Sequence, residues 1–211
     1  MSIENIFQSI VQLKRDEIAD LVQAEIDAST DISVILEEGL INAMGEVGTQ
    51  FSAGQLFVPE MLRAAETMKI GLEVLRPLLV EADITPRGTV VVGTVKGDLH
   101  DIGKNLVAMM LQGAGFTVVD LGVDVETKAF VDAAGENQAQ LVAMSALLTT
   151  TMPVMGECIG RFKDAGIGAR IIVGGAPMSQ DYAIKINADG YGSDAPGAVE
   201  LAKSLVPKQG S

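Results

Sequence analysis

A glycine-rich segment, GTVKGDLHDIGKNLV at residues 93–107, contains the only histidine of the 211-residue chain. His100 lies between two acids, Asp98 and Asp101, in a stretch whose glycines favour a tight turn. Three interpretations of this segment are open. It could be a phosphate-binding loop, a structural turn in which Asp101 caps the next helix, or a metal site with His100 as ligand.

The phosphate-binding interpretation fits the glycine spacing poorly. Gly93, Gly97 and Gly103 do not follow the G-x-G-x-x-G pattern of dinucleotide-binding turns. A P-loop needs four residues between its glycines and a Ser or Thr after the lysine, whereas five residues separate Gly97 from Gly103 and Asn105 follows Lys104.

The metal interpretation is restricted by the scarcity of soft ligands. Structural zinc sites and iron–sulfur clusters typically take four Cys or His ligands, and the chain has one cysteine, Cys158, besides His100. A metal bound by His100 would therefore have to arrive with most of its coordination filled, as in a haem or a corrin. Asp98 is placed to accept a hydrogen bond from the other imidazole nitrogen and so fix the tautomer.

Two kinds of periodicity divide the chain near residue 85. Before it, apolar residues recur at helical steps and predict a bundle of four helices, at about 3–13, 18–26, 36–47 and 59–79. The segment EADITPRG at 81–88 is typical of a linker. We therefore expect a helical-bundle cap domain with its linker at 1–85 and an α/β domain at 86–211.

The second domain alternates short apolar runs with helical stretches. Strands are predicted at Thr89–Thr94, Thr117–Leu121, Leu141–Ser145, Arg170–Val173 and Gly190–Gly192. Nearly continuous apolar strands between helices indicate a doubly wound, Rossmann or flavodoxin-like parallel sheet of five strands. Ligands of such sheets bind beyond the carboxyl ends of the strands, where the His100 segment would lie.

Composition excludes several classes of protein. The net charge of −13 argues against nucleic acid as a partner, because that binding needs clustered Lys and Arg. No apolar run is long enough for a membrane span, the amino terminus does not resemble a signal peptide, and a single cysteine is typical of a reducing compartment. We expect a cytoplasmic protein.

At this point the residues carry a resemblance. Asp98-x-His100-x-x-Gly103, Ser145-x-Leu147 and Gly174-Gly175 resemble the DxHxxG…SxL…GG signature of cobalamin-binding domains. Intervals of 41 and 26 residues separate the three elements, and each element follows a predicted strand. The preceding GEVGTQFSAGQLFVPEMLRAAETM is similar to the helical cap of methylcobalamin proteins such as methionine synthase.

The resemblance implies a role for each matching residue. His100 would be the lower axial ligand of cobalt, in place of the cofactor's own dimethylbenzimidazole. Asp98 would bond to His100 and Ser145 would extend this relay, which we expect to couple protonation to the state of the cobalt. The other residues implied to contact the corrinoid are Asp101, Gly103, Leu147, Thr149, Thr150, Gly174 and Gly175, with Phe57, Val58, Met61 and Leu62 of the cap shielding its upper face.

Several of these residues have structural interpretations that stay open. Thr149 and Thr150 could cap the following helix instead of binding the nucleotide tail. The four cap residues, Phe57, Val58, Met61 and Leu62, could instead be an N-terminal staple and core contacts. Lys104 could contact a phosphate or a partner, or be a solvated charge in the first helical turn.

The domain pair resembles the small corrinoid proteins of multi-component methyltransferase systems. The resemblance implies a carrier, not catalytic alone, that accepts a methyl group on cob(I)amide from a substrate-specific methyltransferase. It would present methyl-cob(III)amide to an acceptor methyltransferase acting on a thiol or a tetrahydropterin, with a corrinoid reductive activase as a further partner. The alternatives are a radical-mutase cobalamin subunit, which needs no such helical cap, and a cobalamin-dependent sensor, which would need an added signalling segment.

Overall fold

A computed structural model describes residues 2–82 and 86–207, except the side chain of Val80. It divides the chain into two compact units, one of residues 1–85 with 112–115 and the other of 86–111 with 116–211. Residues 83–85 of the predicted linker lie outside the described residues. The domain limits given above remain predictions.

The helical unit contains helices at the four predicted positions. The third of these consists of three consecutive helical segments. Its helices are α1 (Ile3–Val11), α2 (Ile18–Asp27), α3 (Ile32–Val34), α4 (Asn42–Ser52) and α5 (Val58–Glu81), with a π-helical segment at Ile35–Ile41 between α3 and α4. The wider π turn shifts the apolar face by one residue, so that Ile35 is fully buried and Leu36, the predicted core position, only half-buried. Downstream, Leu40, Met44 and Val47 are buried as the spacing predicts.

The α/β unit has the predicted strands. They are β1 (Thr89–Thr94), β2 (Thr117–Asp120), β3 (Leu141–Ser145), β4 (Arg170–Gly174) and β5 (Gly190–Gly192). The helices between and after them are α6 (Ile102–Gly113), α7 (Thr127–Glu136), α8 (Met152–Asp164), α9 (Gln180–Lys185) and α10 (Ala195–Leu205). All the pairings are parallel in the order β2-β1-β3-β4-β5, which is the flavodoxin-like form of the predicted fold.

The sheet positions its ends in register. The central strands are buried on both faces, as Val90–Val92 and Leu141–Met144 show, which explains their uninterrupted apolar sequence. Thr94 pairs with Ser145, and Ser145 pairs with Gly174, so β1, β3 and β4 end at one level. The strand order reverses between β1 and β3, the position at which parallel sheets of this topology bind their ligands.

Cys158 lies in α8 and is fully buried. Burial raises the pKa of its thiol to about 12, so the thiol is protonated at neutral pH. Within the described residues, none of the helices combines the length and the apolar character that crossing a bilayer requires.

Gly175 follows β4 and has a conformation that only glycine fits. Its φ is +128°, and a Cβ atom there would lie 1.9 Å from the carbonyl oxygen of Ala146. The close approach joins the ends of β3 and β4, where the Ala146 N–H donates to the Gly174 carbonyl over 3.2 Å.

Gly175→Ala should destabilise the apoprotein by roughly 3 kcal/mol or more, because the new methyl group meets backbone that cannot move aside. Gly166→Ala is the matched control: its φ is +68°, yet nothing lies within 4 Å of the added Cβ. It should cost about 1–2 kcal/mol from backbone strain alone. Urea unfolding monitored by circular dichroism gives both values, and equal losses in the two variants would contradict the clash.

Candidate functional site

The segment with the lone histidine forms the turn between β1 and α6, at the carboxyl edge of the sheet. Its first residue is anchored to the neighbouring strand, since the Val95 N–H donates to the Ser145 carbonyl over 3.0 Å. At its far side Thr94, fully buried at the end of β1, donates its hydroxyl hydrogen to the His100 carbonyl over 2.9 Å. The turn therefore lies where the strand order reverses, between β1 and β3.

The Asp98 carboxylate takes part in more hydrogen bonds than the other described side chains of this turn. Its side chain is fully buried, and its carboxylate is within hydrogen-bond distance of five donors. Oδ1 contacts the His100 N–H at 3.1 Å and the ring Nδ1 at 2.7 Å. Oδ2 accepts from the N–H groups of Leu147 and Leu148 at 2.7 and 3.2 Å and from the Thr151 hydroxyl at 2.9 Å.

These donors decide the charge of Asp98. Burial alone would raise the pKa of the carboxyl group, but hydrogen bonds from the His100 ring, the Leu147 N–H, the His100 N–H and Thr151 outweigh it. The pKa is held well below its usual value of 3.8. The folded protein therefore carries a buried, ionised carboxylate at the carboxyl edge of the sheet.

The charge of Asp98 fixes the tautomer of His100. An ionised carboxylate only accepts hydrogen bonds, so Nδ1 must carry the proton in the 2.7 Å contact. In the neutral ring this leaves the lone pair on Nε2, to which no part of the chain that the structure describes donates a hydrogen bond. The side chain is 52% exposed, so Nε2 is available to a ligand. This donor suits a metal that needs one imidazole, with a carboxylate behind it.

Large exposed apolar residues belong to the same two loops as this polar pair and its donors. Leu99 and Ile102 in and after the turn are 71% and 72% exposed, and Leu147 and Leu148, whose N–H groups bind Asp98, are about 40% exposed. Exposed apolar residues grouped beside a buried anion are typical of a ligand face. Of the four, Leu147 is predicted from the sequence. The signal for Leu99 and Ile102 is the presence of apolar residues in an otherwise polar turn.

A hydroxyl that the sequence did not single out, that of Thr151, donates to Asp98. Ser145 is still part of β3, paired with Thr94 and Gly174. Thr151 lies six residues later, where the chain turns back over the carboxylate before α8, and is 6% exposed. The part of Ser145 in the relay and its contact with a cofactor stay predictions.

Lys104 differs from both of its sequence interpretations. Its side chain is 2% exposed, and its Nζ lies 2.6 and 2.7 Å from the two carboxylate oxygens of Asp120 and 2.6 Å from Oδ1 of Asn105. It is neither a solvated charge nor available to a phosphate. The ion pair of Lys104 with Asp120 joins the first turn of α6 to the end of β2. The sequence does not reveal this pair, because sixteen residues separate the two partners.

The other predicted residues are positioned as follows. Asp101 precedes α6 and accepts from Asn105 through both its carbonyl, at 2.7 Å, and its side chain, at 3.0 Å. Gly103 faces open space, with nothing within 4 Å of a Cβ built there, so a ligand could approach its backbone. Thr149 and Thr150 are exposed in the turn after β3. Their cofactor contacts stay predictions.

The predicted cap residues lie at the start of α5. Phe57 is 68% exposed, and its N–H donates to the Glu60 carboxylate over 2.8 Å, as in a capping box. Val58 and Leu62 are half-buried, and Met61 is fully buried. Their role toward a cofactor stays a prediction.

Comparison with known proteins connects this geometry to a family. Residues 88–200 match the B12 binding domain family, and residues 2–76 match a second family described as a B12 binding domain. The chain is 46% identical over 196 residues to trimethylamine corrinoid protein 1 of Methanosarcina mazei, which covers 90% of this chain and 91% of the relative. It is 41% identical over 213 residues to dimethylamine corrinoid protein 1 of Methanosarcina acetivorans, covering 98% and 100%.

A solved structure has the same fold. The methanol:cobalamin methyltransferase complex of Methanosarcina barkeri contains a chain that matches with a TM-score of 0.86 and 30% identity, over 97% of this chain and 79% of that one.

The ionisation of Asp98 makes stability depend on pH in a specific direction. Because the folded pKa lies below the unfolded value near 3.8, the carboxylate stabilises the fold fully above about pH 5. This contribution is lost as the pH falls through the unfolded pKa toward the folded one. Asp98→Asn should therefore lower the urea midpoint of the apoprotein at pH 7 and flatten its fall between pH 5 and 3.

Asp132→Asn is the control, because Asp132 is an exposed acid of α7 that pairs only with Lys128 in the described structure. It should leave both the midpoint at pH 7 and the slope nearly unchanged. An Asp98→Asn slope equal to that of the wild type would contradict the buried carboxylate.

Proposed function

Because the chain belongs to the B12-binding family and binds a corrinoid, we propose that it is the methyl-carrying subunit of a multi-component methyltransferase system. One partner enzyme transfers a methyl group from a small methylated substrate to the carrier. A second partner removes it to a thiol or a tetrahydropterin. The bound corrinoid supplies the cobalt that accepts and releases the methyl group.

The observation that carries this proposal is the pair formed by Asp98 and His100 at the switch point of the sheet. His100 is the metal ligand through Nε2, since Nδ1 is committed to Asp98 over 2.7 Å. Asp98 holds the proton at Nδ1 and makes the imidazole a better electron donor. Thr151 and the two leucine N–H groups hold Asp98 in place, so that the ring orientation is fixed before a ligand binds.

The surroundings of His100 suit a large, flat, partly apolar ligand. Leu99, Ile102, Leu147 and Leu148 present apolar surface around the imidazole and exclude water from the face that they cover. Gly103 leaves room for close approach at the start of α6. The fold itself requires a glycine at Gly175, and we assign the nucleotide-tail contacts of Gly174 and Gly175 to backbone approach only.

We further propose that the methyl donor is a methylated amine. What supports this proposal is that relatives named for trimethylamine and dimethylamine are 46% and 41% identical over nearly the whole chain. The partners are accordingly a methylamine-specific methyltransferase, an acceptor methyltransferase and a reductive activase, in the cytoplasm.

Ligation by His100 has a direct spectroscopic test. The full chain is labelled with nitrogen-15 histidine, reconstituted with cobalamin and reduced to the Co(II) form. Because His100 is the only histidine, its ligation should convert the superhyperfine triplets of the electron paramagnetic resonance spectrum into doublets. His100→Gln should abolish the doublets. Unchanged triplets in the labelled wild type would mean that cobalt keeps another nitrogen ligand.

The carrier role and the donor class are tested together with carbon-14 methyl donors. The reduced, corrinoid-loaded chain is incubated with a trimethylamine-, dimethylamine- or methanol-specific methyltransferase and its labelled substrate. Label should co-elute with the chain for an amine enzyme and be at least about tenfold lower for the methanol enzyme. Labelling by methanol alone would overturn the donor class, and no labelling by any of the three would argue against the carrier role.

A further inference from the structure

A residue of the loop that follows β2 binds the backbone of the histidine turn. This residue, Asp124, is not part of the DxHxxG…SxL…GG signature. Asp124 accepts a hydrogen bond from the Gly97 N–H through Oδ1 over 2.7 Å. Its own N–H donates to the carbonyl of Asp98 over 3.0 Å. Asp124 thus contacts the peptide before Gly97 and the peptide after Asp98.

These two contacts enclose the peptide that joins Gly97 to Asp98. With both neighbouring peptides held, the direction in which the Asp98 side chain leaves the backbone is fixed. The loop after β3 then binds the carboxylate itself through Leu147, Leu148 and Thr151. Two loops on opposite sides of β1 therefore hold different parts of one residue, its backbone from β2 and its side chain from β3.

The conformation of Asp124 shows that its position is constrained by the structure around it. Its φ is +53°, in the left-handed region that Asp and Asn tolerate better than most residues. The strand-like bridge between Val95 and Val125 follows at once, and the Val125 N–H donates to the Thr94 carbonyl over 3.0 Å. Such a backbone persists where surrounding contacts determine it.

We propose that Asp124 is a positioning residue for His100, acting through the backbone of Gly97 and Asp98. The inference rests on the proposed function, in which His100 Nε2 binds cobalt. His100 is half-exposed, and in the described structure its ring has one hydrogen-bond partner, Asp98 Oδ1. The direction in which Nε2 points therefore depends on the position of Asp98.

Two substitutions separate the hydrogen bond from the backbone conformation. Asp124→Asn keeps an acceptor oxygen and tolerates the positive φ, whereas Asp124→Gly accepts the φ freely and removes the acceptor. Each full-length variant, labelled with nitrogen-15 histidine, is loaded with cobalamin and reduced to Co(II). The ratio of nitrogen-15 doublets to other signals measures ligation by histidine.

We expect Asp124→Asn to stay within about threefold of the wild-type ratio and Asp124→Gly to lower it by about tenfold, the lower end of losses on removing an outer hydrogen bond at a metal site. Gln138→Gly is the matched control, since Gln138 has a φ of +49° in the loop between α7 and β3 and no hydrogen bond to the histidine turn. It should keep the wild-type ratio.

The result separates the two proposals. Absence of nitrogen-15 doublets in every protein, the wild type included, overturns ligation by His100. Wild-type doublets that persist unchanged in Asp124→Gly overturn the role of Asp124 alone. A loss as large in Asp124→Asn as in Asp124→Gly also overturns it, because the effect would then follow the charge and not the acceptor.

A measurement on the wild-type apoprotein keeps the inference testable even if a variant fails to fold. Gly97 is an exposed loop residue, so without its bond to Asp124 its amide hydrogen would exchange at nearly the free-peptide rate. We expect exchange at least about tenfold slower than that rate, and faster exchange in Asp124→Gly. Unprotected Gly97 in the wild type would remove the contact on which the inference stands.

Discussion

The site depends on an ionised carboxylate held away from water. An unpaired buried charge would be very costly, and Asp98 is stable as an anion because five donors surround it. Two of these donors belong to His100 and three to the loop after β3. The parallel pairing of β1 with β3 is what brings both groups of donors to one carboxylate. The tautomer of the imidazole, and hence the availability of Nε2, follows from that charge.

The fold limits where such an arrangement can form. Strand order reverses between β1 and β3, and both strands end at the same level because Thr94 pairs with Ser145. The Gly175 backbone approaches Ala146 so closely that no side chain fits, which keeps the end of β4 against that of β3. The buried pair of Lys104 and Asp120 ties α6 to β2. Each contact fixes one boundary of the turn that holds His100.

Sequence periodicity predicted three of the five strands to the residue and the other two to within one. It succeeded because strands buried on both faces are continuously apolar and their limits coincide with Gly and polar residues. In the third predicted helix one buried position differs from the prediction. An inserted π turn places Ile35 in the core where Leu36 was expected. Thr151 and Lys104 escaped prediction for another reason. Their partners lie 53 and 16 residues away, and local spacing carries no information on which loop folds over which.

The hydrogen bonds that hold the histidine turn come from the ends of β1 and β3 and from the loops after β2 and β3. In the described structure, β4 supports the turn indirectly, through its pairing with β3. The strand β5 pairs with β4 alone and is one step further away. The sheet is thus asymmetric, with a cross-linked half around β1 and a peripheral half ending at β5. A fluorescent label or an affinity tag inserted between α9 and β5 should therefore leave the hydrogen bonds of the histidine turn unchanged.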